Sequence, residues 1–336
     1  MKVRTYSILC INPGSTSTKA GVFADEREIH VTEATHSACE LTQYVRLVDQ
    51  CEFRKETILG TLKQAGITPA DLDCIVGRGG LLRPMESGTY EVNQRMLEEL
   101  REEKHGAHAS NLGAILAWLI AQVIGKPCFI VDPIAVDELQ EIARITGVPE
   151  IRRSSIFHGL NHKAVARLAA QEIGRPYEEV NLIVVHLGGG ITVGVHKQGR
   201  VVDVNDGLRG EGPFAPTRSG ALPVWDVIKL TLSGRYTEAE LREKVMNKGG
   251  IRAHLGTSDF QVVKQRVENG DRHAELVYRA MAYQIAREIG ACAAVLEGRA
   301  DAVVISGGMA RDRVLVDPIS QRVRFISKIL VYPGEK

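Results

Sequence analysis

Apolar and polar positions along this chain follow one pattern twice. Near the start, 6–11, 19–24 and 28–35 read as strands, separated by the loop "NPGSTSTK" and the charged turn Asp25-Glu26-Arg27. A helical period follows over about 42–66, then a short apolar strand at 73–76. A second helical stretch, 108–125, closes on Gly125 and Pro127, and the apolar run "PCFIVD" ends at Asp132. The stretch 181–206, "NLIVVHLGGGITVGVHKQGRVVDVND", repeats the opening as strand, glycine turn, strand, polar turn, strand. Laid together, Lys19-Ala20-Gly21-Val22-Phe23 falls opposite Thr192-Val193-Gly194-Val195-His196. A long helical region, roughly 258–298, and the strand "ADAVVISGG" complete the second half. Such duplication predicts an α/β fold of two ββαβ halves, whose first turns would face each other across a cleft.

Composition narrows the classes. A chain of 336 residues suits two domains, because single cores stop growing near roughly 250–300 residues. The 44% apolar and 25% charged residues are ordinary for a globular protein. With 42 basic and 41 acidic residues the net charge is +1, which argues against nucleic acid or a membrane surface as partner. The 6 cysteines form no C-x-x-C, and Cys10, Cys74 and Cys128 fall in apolar runs that suit small core residues. The opening "MKVRTYSILC" is too short an apolar run for a signal peptide. No stretch approaches the ~20 apolar residues of a membrane span. A reducing cytoplasm is the expected compartment.

Candidate chemistry sits in the turns. The first loop carries the hydroxyls of Ser15, Thr16, Ser17 and Thr18, the amides around Gly14 and the ammonium of Lys19, an array suited to phosphate oxygens. "HLGGG", 186–190, lacks side chains at Gly188, Gly189 and Gly190, so its amides can approach a polyanion. "ISGGM", 305–309, allows the same approach to a nucleotide's sugar or base. No G-x-x-x-x-G-K-[ST] or G-x-G-x-x-G occurs. Any one glycine loop fits a bulged hairpin equally well; three placed after strands in a duplicated chain point to phosphates. Arg78 in "VGRGG" and Arg218 in "PTRSG" offer planar forks for carboxylate and phosphoryl oxygens. His158 and His162 stand four apart in "IFHGLNHK", but no further ligand for zinc lies nearby. Asp132, ending an apolar strand, suits Mg²⁺ and equally a turn or helix cap.

The segments "INPGSTSTK", "GRGG", "GAHASNLG", "FIVD", "FHGLNHK", "HLGGG", "PTRSG", "GTSDF" and "ISGGM" occur in the order seen in the acetate and butyrate kinases, and from about residue 6 onward the chain resembles that family. The proline in the first segment, "HLGGG" in place of "HLGNG" and the shorter chain are similar to the butyrate kinases. The resemblance implies two ribonuclease-H-like domains of the sugar kinase, Hsp70 and actin superfamily, with an interdomain cleft. Residues 1–150 would form the acid and phosphoryl side, joined by 325–336, and 151–324 the nucleotide-binding domain. It assigns Asn12, Lys19, Arg78, His158 and Arg218 to catalysis. Ser15, Ser17, His186, Gly188, Gly189, Gly190, Asp259, Phe260, Gly307, Gly308 and Met309 would bind ATP or ADP. Asp132 and Glu335 would hold Mg²⁺.

The implied reaction is reversible, in-line transfer from ATP to a short-chain fatty acid, giving the acyl phosphate. The acceptor carboxylate is ionised at pH 7 and needs no general base. Gly80 and Ala107, at positions that carry larger apolar chains in acetate kinases, predict with His108 and Phe157 an enlarged pocket for butyrate or branched acids. Acetate or propionate is the alternative acid. A different class, an actin- or Hsp70-like ATPase switch with water as acceptor, would use the same loops without the arginine pair. The expected partners are the acid, its acyl phosphate and further copies of the chain.

Overall fold

The computed structural model describes residues 4–334 and divides the chain into two compact units, 1–136 and 137–336. In the first, inward alternation of Leu9 and Ile11, and of Ala20 and Val22, forms β1 (Ser7–Pro13) and β2 (Ser17–Ala24). They join β3 (Arg27–Thr35), β4 (Cys74–Arg78), β5 (Thr89–Glu91) and β6 (Cys128–Val131) in a sheet of order β3-β2-β1-β4-β6-β5, with β1, β4 and β6 parallel. The helices are α1 (Ala38–Thr42), α2 (Cys51–Gln64), α3 (Gln94–Arg101) and α4 (Asn111–Ile124). α4 is apolar nearly all round and is the most buried of the four. It ends on left-handed Gly125, as its stop signal predicts.

The second unit holds β7 (Asn181–Leu187), β8 (Ile191–Lys197), β9 (Arg200–Val204), β10 (Ala302–Gly307) and β11 (Ile329–Pro333), ordered β11-β10-β7-β8-β9. Its helices are α5 (Glu141–Arg144), α6 (Gly159–Ile173), α7 (Val224–Leu232), α8 (Glu238–Met246), α9 (Gly250–Leu255), α10 (Phe260–Glu268), α11 (Arg272–Val295) and α12 (Arg313–Val323). This sheet is covered on both faces, which explains the unbroken apolar runs. Ile183, Val185, Val303 and Ile305 meet α11, while Leu182, Val184, Ala302 and Val304 share a cluster with Val165, Ala166 and Ala169 of α6.

The two sheets share one order, an antiparallel meander followed by parallel strands, as ribonuclease-H-like domains require. The repeat reaches the irregularities. Register shifts after Val22 in the first meander and after Val195 in the second, positions that the sequence alignment sets opposite each other.

Two boundaries differ from expectation. The first turn is a four-residue hairpin loop, Gly14-Ser15-Thr16-Ser17, because Asn12 pairs with Lys19 and Pro13 with Thr18. Residues 325–336 were expected with the first domain. Through Gly334 they belong to the second unit, where β11 extends the sheet in parallel with β10.

Strand β4 and helix α4 touch backbone to backbone. A Cβ on Gly77 would lie 2.1 Å from the carbonyl oxygen of Gly113, and one on Gly113 would lie 2.2 Å from that of Arg78. Gly77→Ala should therefore lower stability by at least about 2 kcal/mol through overpacking. Gly60→Ala, in α2 with nothing within 4 Å, should raise it by about 1 kcal/mol. Urea unfolding of both variants checks the contrast.

Candidate active site

In the first unit, the carboxyl ends of three adjacent parallel strands bring Asn12, Arg78 and Asp132 into line. Ile11 registers with Gly77 and Arg78 with Val131, so each residue stands at or just beyond its strand's end. Arg78 Nη1 donates to Asn12 Oδ1 at 3.1 Å. Lys19, exposed, faces Asn12 across the hairpin. Ligands in α/β sheets bind at this edge.

The loop between Asn12 and Lys19 is held from behind by a residue outside the expected set. Arg54 of α2, wholly buried, donates to the carbonyl oxygens of Gly14, Ser17 and Ser15 at 2.9, 2.8 and 3.2 Å. It also reaches the Thr18 hydroxyl at 3.0 Å and Gln50 Oε1 at 2.9 Å. The amide of His36 binds the Thr16 carbonyl at 2.8 Å. Four consecutive carbonyls are thus occupied within the protein, and a positive charge lies behind the loop, which favours an anion in front. Not every expected hydroxyl is available to a ligand. Thr18 is 2% exposed and bonds His36 Nε2 at 2.8 Å, and Ser17 donates to Glu33 at 3.0 Å.

Asp132 is buried, in a left-handed conformation at φ 39°, and its Oδ1 accepts from Ser87 Oγ at 2.6 Å and the Gly88 amide at 2.9 Å. Among the described residues no three His, Cys, Asp or Glu gather as a metal cluster. A single oriented carboxylate fits Mg²⁺, which takes one or two carboxylates with phosphate oxygens and water. It does not fit zinc. Glu335 lies outside the described residues.

The acid pocket needs a correction. Gly80 opens no space, since a Cβ there would lie 2.6 Å from both Cα and Oδ1 of Asn111. Asn111 fills that side, accepting from the Leu81 amide and donating to the Gly106 carbonyl, both at 2.9 Å. Glycine stands here because α4 begins against it. Ala107 is exposed. His108 receives the Ser110 amide on Nδ1 at 3.2 Å, so its neutral ring carries the proton on Nε2. Phe157, in the second unit, is 2% exposed and sits edge-on to His162.

In the second unit, alternation puts His186, Thr192, His196 and Ser306 on the sheet face that meets α6. Asn161 Oδ1 accepts from His186 Nδ1 at 2.7 Å and Ser306 Oγ at 2.6 Å. His158, the N-cap of α6, stacks on His186 with ring centroids 3.9 Å apart. His158 and His162 converge on the Thr192 hydroxyl, not on a metal.

The three glycines after Leu187 have different reasons. Gly189 has nothing within 4 Å of its Cβ direction, so it is open to a ligand, whereas a Cβ on Gly190 would lie 1.7 Å from Arg218 Nη1. Gly190 thus makes room for the guanidinium. Arg218 is largely buried, its Nη1 donates to the Gly207 carbonyl, and its Nε has no partner among the described residues. Burial lowers its pKa, partly opposed by Asp206. Gly188 would crowd His186 Nε2 at 2.8 Å.

The nucleotide candidates beyond these loops also separate. Gly307, at φ 94°, approaches the Leu187 carbonyl so closely that a Cβ would lie 2.3 Å from it, and Gly308 is open. Met309 is 8% exposed and packs in the core beside α11. Asp259 caps α10, accepting from the amides of Gln261 and Val262. Phe260 lies against Tyr278, whose hydroxyl donates to Asp312 at 2.6 Å, linking α10 to the turn after β10.

The sequence profile of the acetokinase family matches residues 145–324, more than half of the chain. The chain belongs to the acetokinase family. Its fold is that of solved carboxylate kinases. The acetate kinase of Porphyromonas gingivalis is 19% identical, covering 98% of this chain and 96% of that one, at a TM-score of 0.77. A propionate kinase from Francisella tularensis is 18% identical over the same shares at 0.76. An Entamoeba histolytica acetate kinase reaches 0.74 at 16% identity, covering 98% of this chain and 96% of that one. No helix among the described residues is long and apolar enough to cross a membrane.

Arg54, Thr192 and His196 lie outside the motifs of this acetokinase, though each leaves a trace in the sequence. Arg54 stands on the apolar stripe Cys51, Ile58, Leu62 of α2, and Thr192 and His196 alternate with the core residues of β8.

Burial holds His162 and His196 well below the ordinary histidine range. The unfolded chain takes up protons below about pH 6.5 that these rings refuse. Their contribution to stability is therefore full above that pH and falls on acidification by about 1.4 kcal/mol per pH unit for each ring. Asp206 and Glu288, whose carboxyls burial pushes up, act in the opposite sense. Urea midpoints between pH 7.5 and 5.5 should thus fall more steeply in the parent than in His196→Gln; equal slopes would show a charged ring in the folded state.

Proposed function

We propose that this acetokinase transfers a phosphoryl group reversibly between ATP and a short-chain carboxylate, with butyrate or a branched four- to five-carbon acid preferred. The reading rests above all on the chemical character of the candidate side chains that each unit carries. Arg78, Lys19 and Arg218 are cations, while Asp132 and Asp206 already accept two hydrogen bonds each. Kinases acting on hydroxyl groups need a carboxylate to take the acceptor's proton; a carboxylate acceptor brings none.

In this reaction Arg78, oriented by Asn12, binds the acid's carboxylate, and Arg218 neutralises phosphoryl oxygens against the repulsion of two anions. His158 donates to the oxygens of the transferring group and is not itself phosphorylated, because the carboxylate can attack directly. Ser15, Ser17 and the amides of the first loop hold phosphate, and His186, Gly188, Gly189, Gly307, Gly308 and the Asp259-Phe260 corner serve ATP or ADP. Mg²⁺, when bound with the nucleotide, neutralises phosphate charge, and Asp132 would hold it.

The preference for a longer acid is supported by Ala107 and by the butyrate-kinase character of Pro13 and Gly189; Gly80 lends it no support. A homo-oligomer is part of the same reading. Helix α7 supports it, with Val224, Trp225 and Leu232 72, 68 and 80% exposed.

A hydroxamate assay over acids from acetate to isovalerate tests the proposal. Butyrate or a branched acid should exceed acetate in kcat/KM by about one to two orders of magnitude, within the range of a hydrophobic pocket. ATP hydrolysis indifferent to added acid would instead indicate a nucleotide switch. Arg78→Ala and Arg218→Ala should each lower kcat by about 10²–10³, as loss of a transition-state donor does. Lysine at either position should not restore it.

A further inference from the structure

The loop of residues 14–17 is backed by a charge that has no counter-charge in the first unit. Arg54 Nε and Nη2 both donate to Gln50 Oε1, at 3.1 and 2.9 Å. Its other hydrogen bonds go to the carbonyls of Gly14, Ser15 and Ser17 and to the Thr18 hydroxyl. All of these acceptors are neutral. Arg54 is wholly buried, and a guanidinium keeps its proton even there. Burial pushes its pKa down, and the group that opposes the shift is Cys51, not a carboxylate.

The nearby acids are engaged elsewhere. Asp49 accepts the Arg46 amide at 2.9 Å, and Glu52 pairs with Lys55. Glu33 stands opposite Lys19 in the register of β2 with β3 and accepts from Ser17 Oγ at 3.0 Å. The charge of Arg54 is felt by its neighbours: with burial, it lowers the pKa of His36, whose ring meets the Thr18 hydroxyl. Buried cations ordinarily have an anionic partner. Lys163 in the second unit follows that rule, paired with Glu138 at 2.8 Å.

Position 50 is where the counter-ion would stand. It lies four residues before Arg54, the spacing of the common glutamate–arginine pair. Gln50 offers the same oxygen to both guanidinium nitrogens without the charge. In front, Ser15 and Thr16 are exposed, and their amides have no acceptor among the described residues. With the loop carbonyls turned back to Arg54 and the His36 amide, these two amides are left for an acceptor outside the chain.

We propose that the counter-ion of Arg54 is a phosphoryl oxyanion received at this loop, which makes Arg54 a positioning residue of the phosphate site and Gln50 the residue that keeps its charge uncompensated. The proposal deepens the reading of the loop as a phosphate holder and rests on that reading. Arg54 does not touch the anion. It fixes the carbonyls behind, leaves the Ser15 and Thr16 amides in front, and adds a full charge where little water screens it. The anion in turn supplies the neutralisation that a buried charge requires.

Gln50→Glu is the test, because it neutralises Arg54 while keeping an acceptor for both nitrogens. Inorganic phosphate is titrated calorimetrically into the full-length parent and variant, and urea midpoints are measured without phosphate. A carboxylate beside an uncompensated cation should raise the midpoint, while the phosphate Kd rises about tenfold. A merely structural Arg54 would leave that Kd unchanged. The KM for ATP or for butyryl phosphate should rise with it, kcat staying within about threefold, as loss of uniform binding requires. The KM that moves identifies the substrate that brings its phosphoryl group to the loop. Arg54→Lys, which keeps the charge without the fork, should bind phosphate more tightly than Arg54→Met; if neither folds, Gln50→Glu decides alone. A Gln50→Glu protein with phosphate Kd within twofold of the parent, or with a lowered urea midpoint, overturns the proposal, as does a parent that binds no phosphate. If Kd and midpoint move as stated but the parent phosphorylates no acid, the anion site stands and the kinase reading falls instead.

Discussion

A polar group taken out of water must find a partner, and much of this protein's functional architecture follows from that constraint. Each unit buries a few strongly polar side chains, and each of these organises the backbone around it. Arg54 gathers the carbonyls of the first loop, Asn111 ties the loop after Arg78 to the one before His108, and Asn161 joins His186 to Ser306. Lys163 and Glu138, almost wholly buried, neutralise each other, and Glu138 also accepts the Val201 amide at 2.8 Å. Such groups could not be satisfied in a loosely collapsed chain. They stabilise one arrangement of the loops, and the exposed candidates for chemistry inherit it.

The duplicated frame separates scaffold from chemistry. Equivalent positions of the two meanders are Asn12 and His186 on the first strands and Lys19 and Thr192 on the second, each pair facing across its hairpin. The strand order and the bulge are common to both copies. In the first copy the paired positions carry an amide and an exposed ammonium, suited to meet an anion directly. In the second they carry a histidine and a buried hydroxyl that bind other side chains. The second sheet is covered on both faces, so polar groups on the α6 side are desolvated and must connect to one another. One fold thus yields an open cationic edge in one unit and an internal hydrogen-bond system in the other.

The sequence by itself determined the elements and their order. Period-two alternation, continuous apolar strands and glycine stops are local signals, and the strands of the second meander, the long helix α11 and the close of α4 stand where those signals place them. It also determined which residues reach the strand ends: Asn12, Arg78 and Asp132 come into line because three parallel strands end where their apolar runs end. The purpose of individual glycines was decided only by tertiary structure. Gly80 and Gly190 read equally well as open space or as ligand approach, yet each accommodates a neighbour from far along the chain, Asn111 or Arg218. The partners of buried groups were decided there as well. Arg54 is one charge on an apolar stripe until the hairpin folds over it, and Thr192 is one hydroxyl in a strand until α6 brings His158 and His162 to it. Packing distances between remote segments are set by every side chain in between, so no local pattern encodes them.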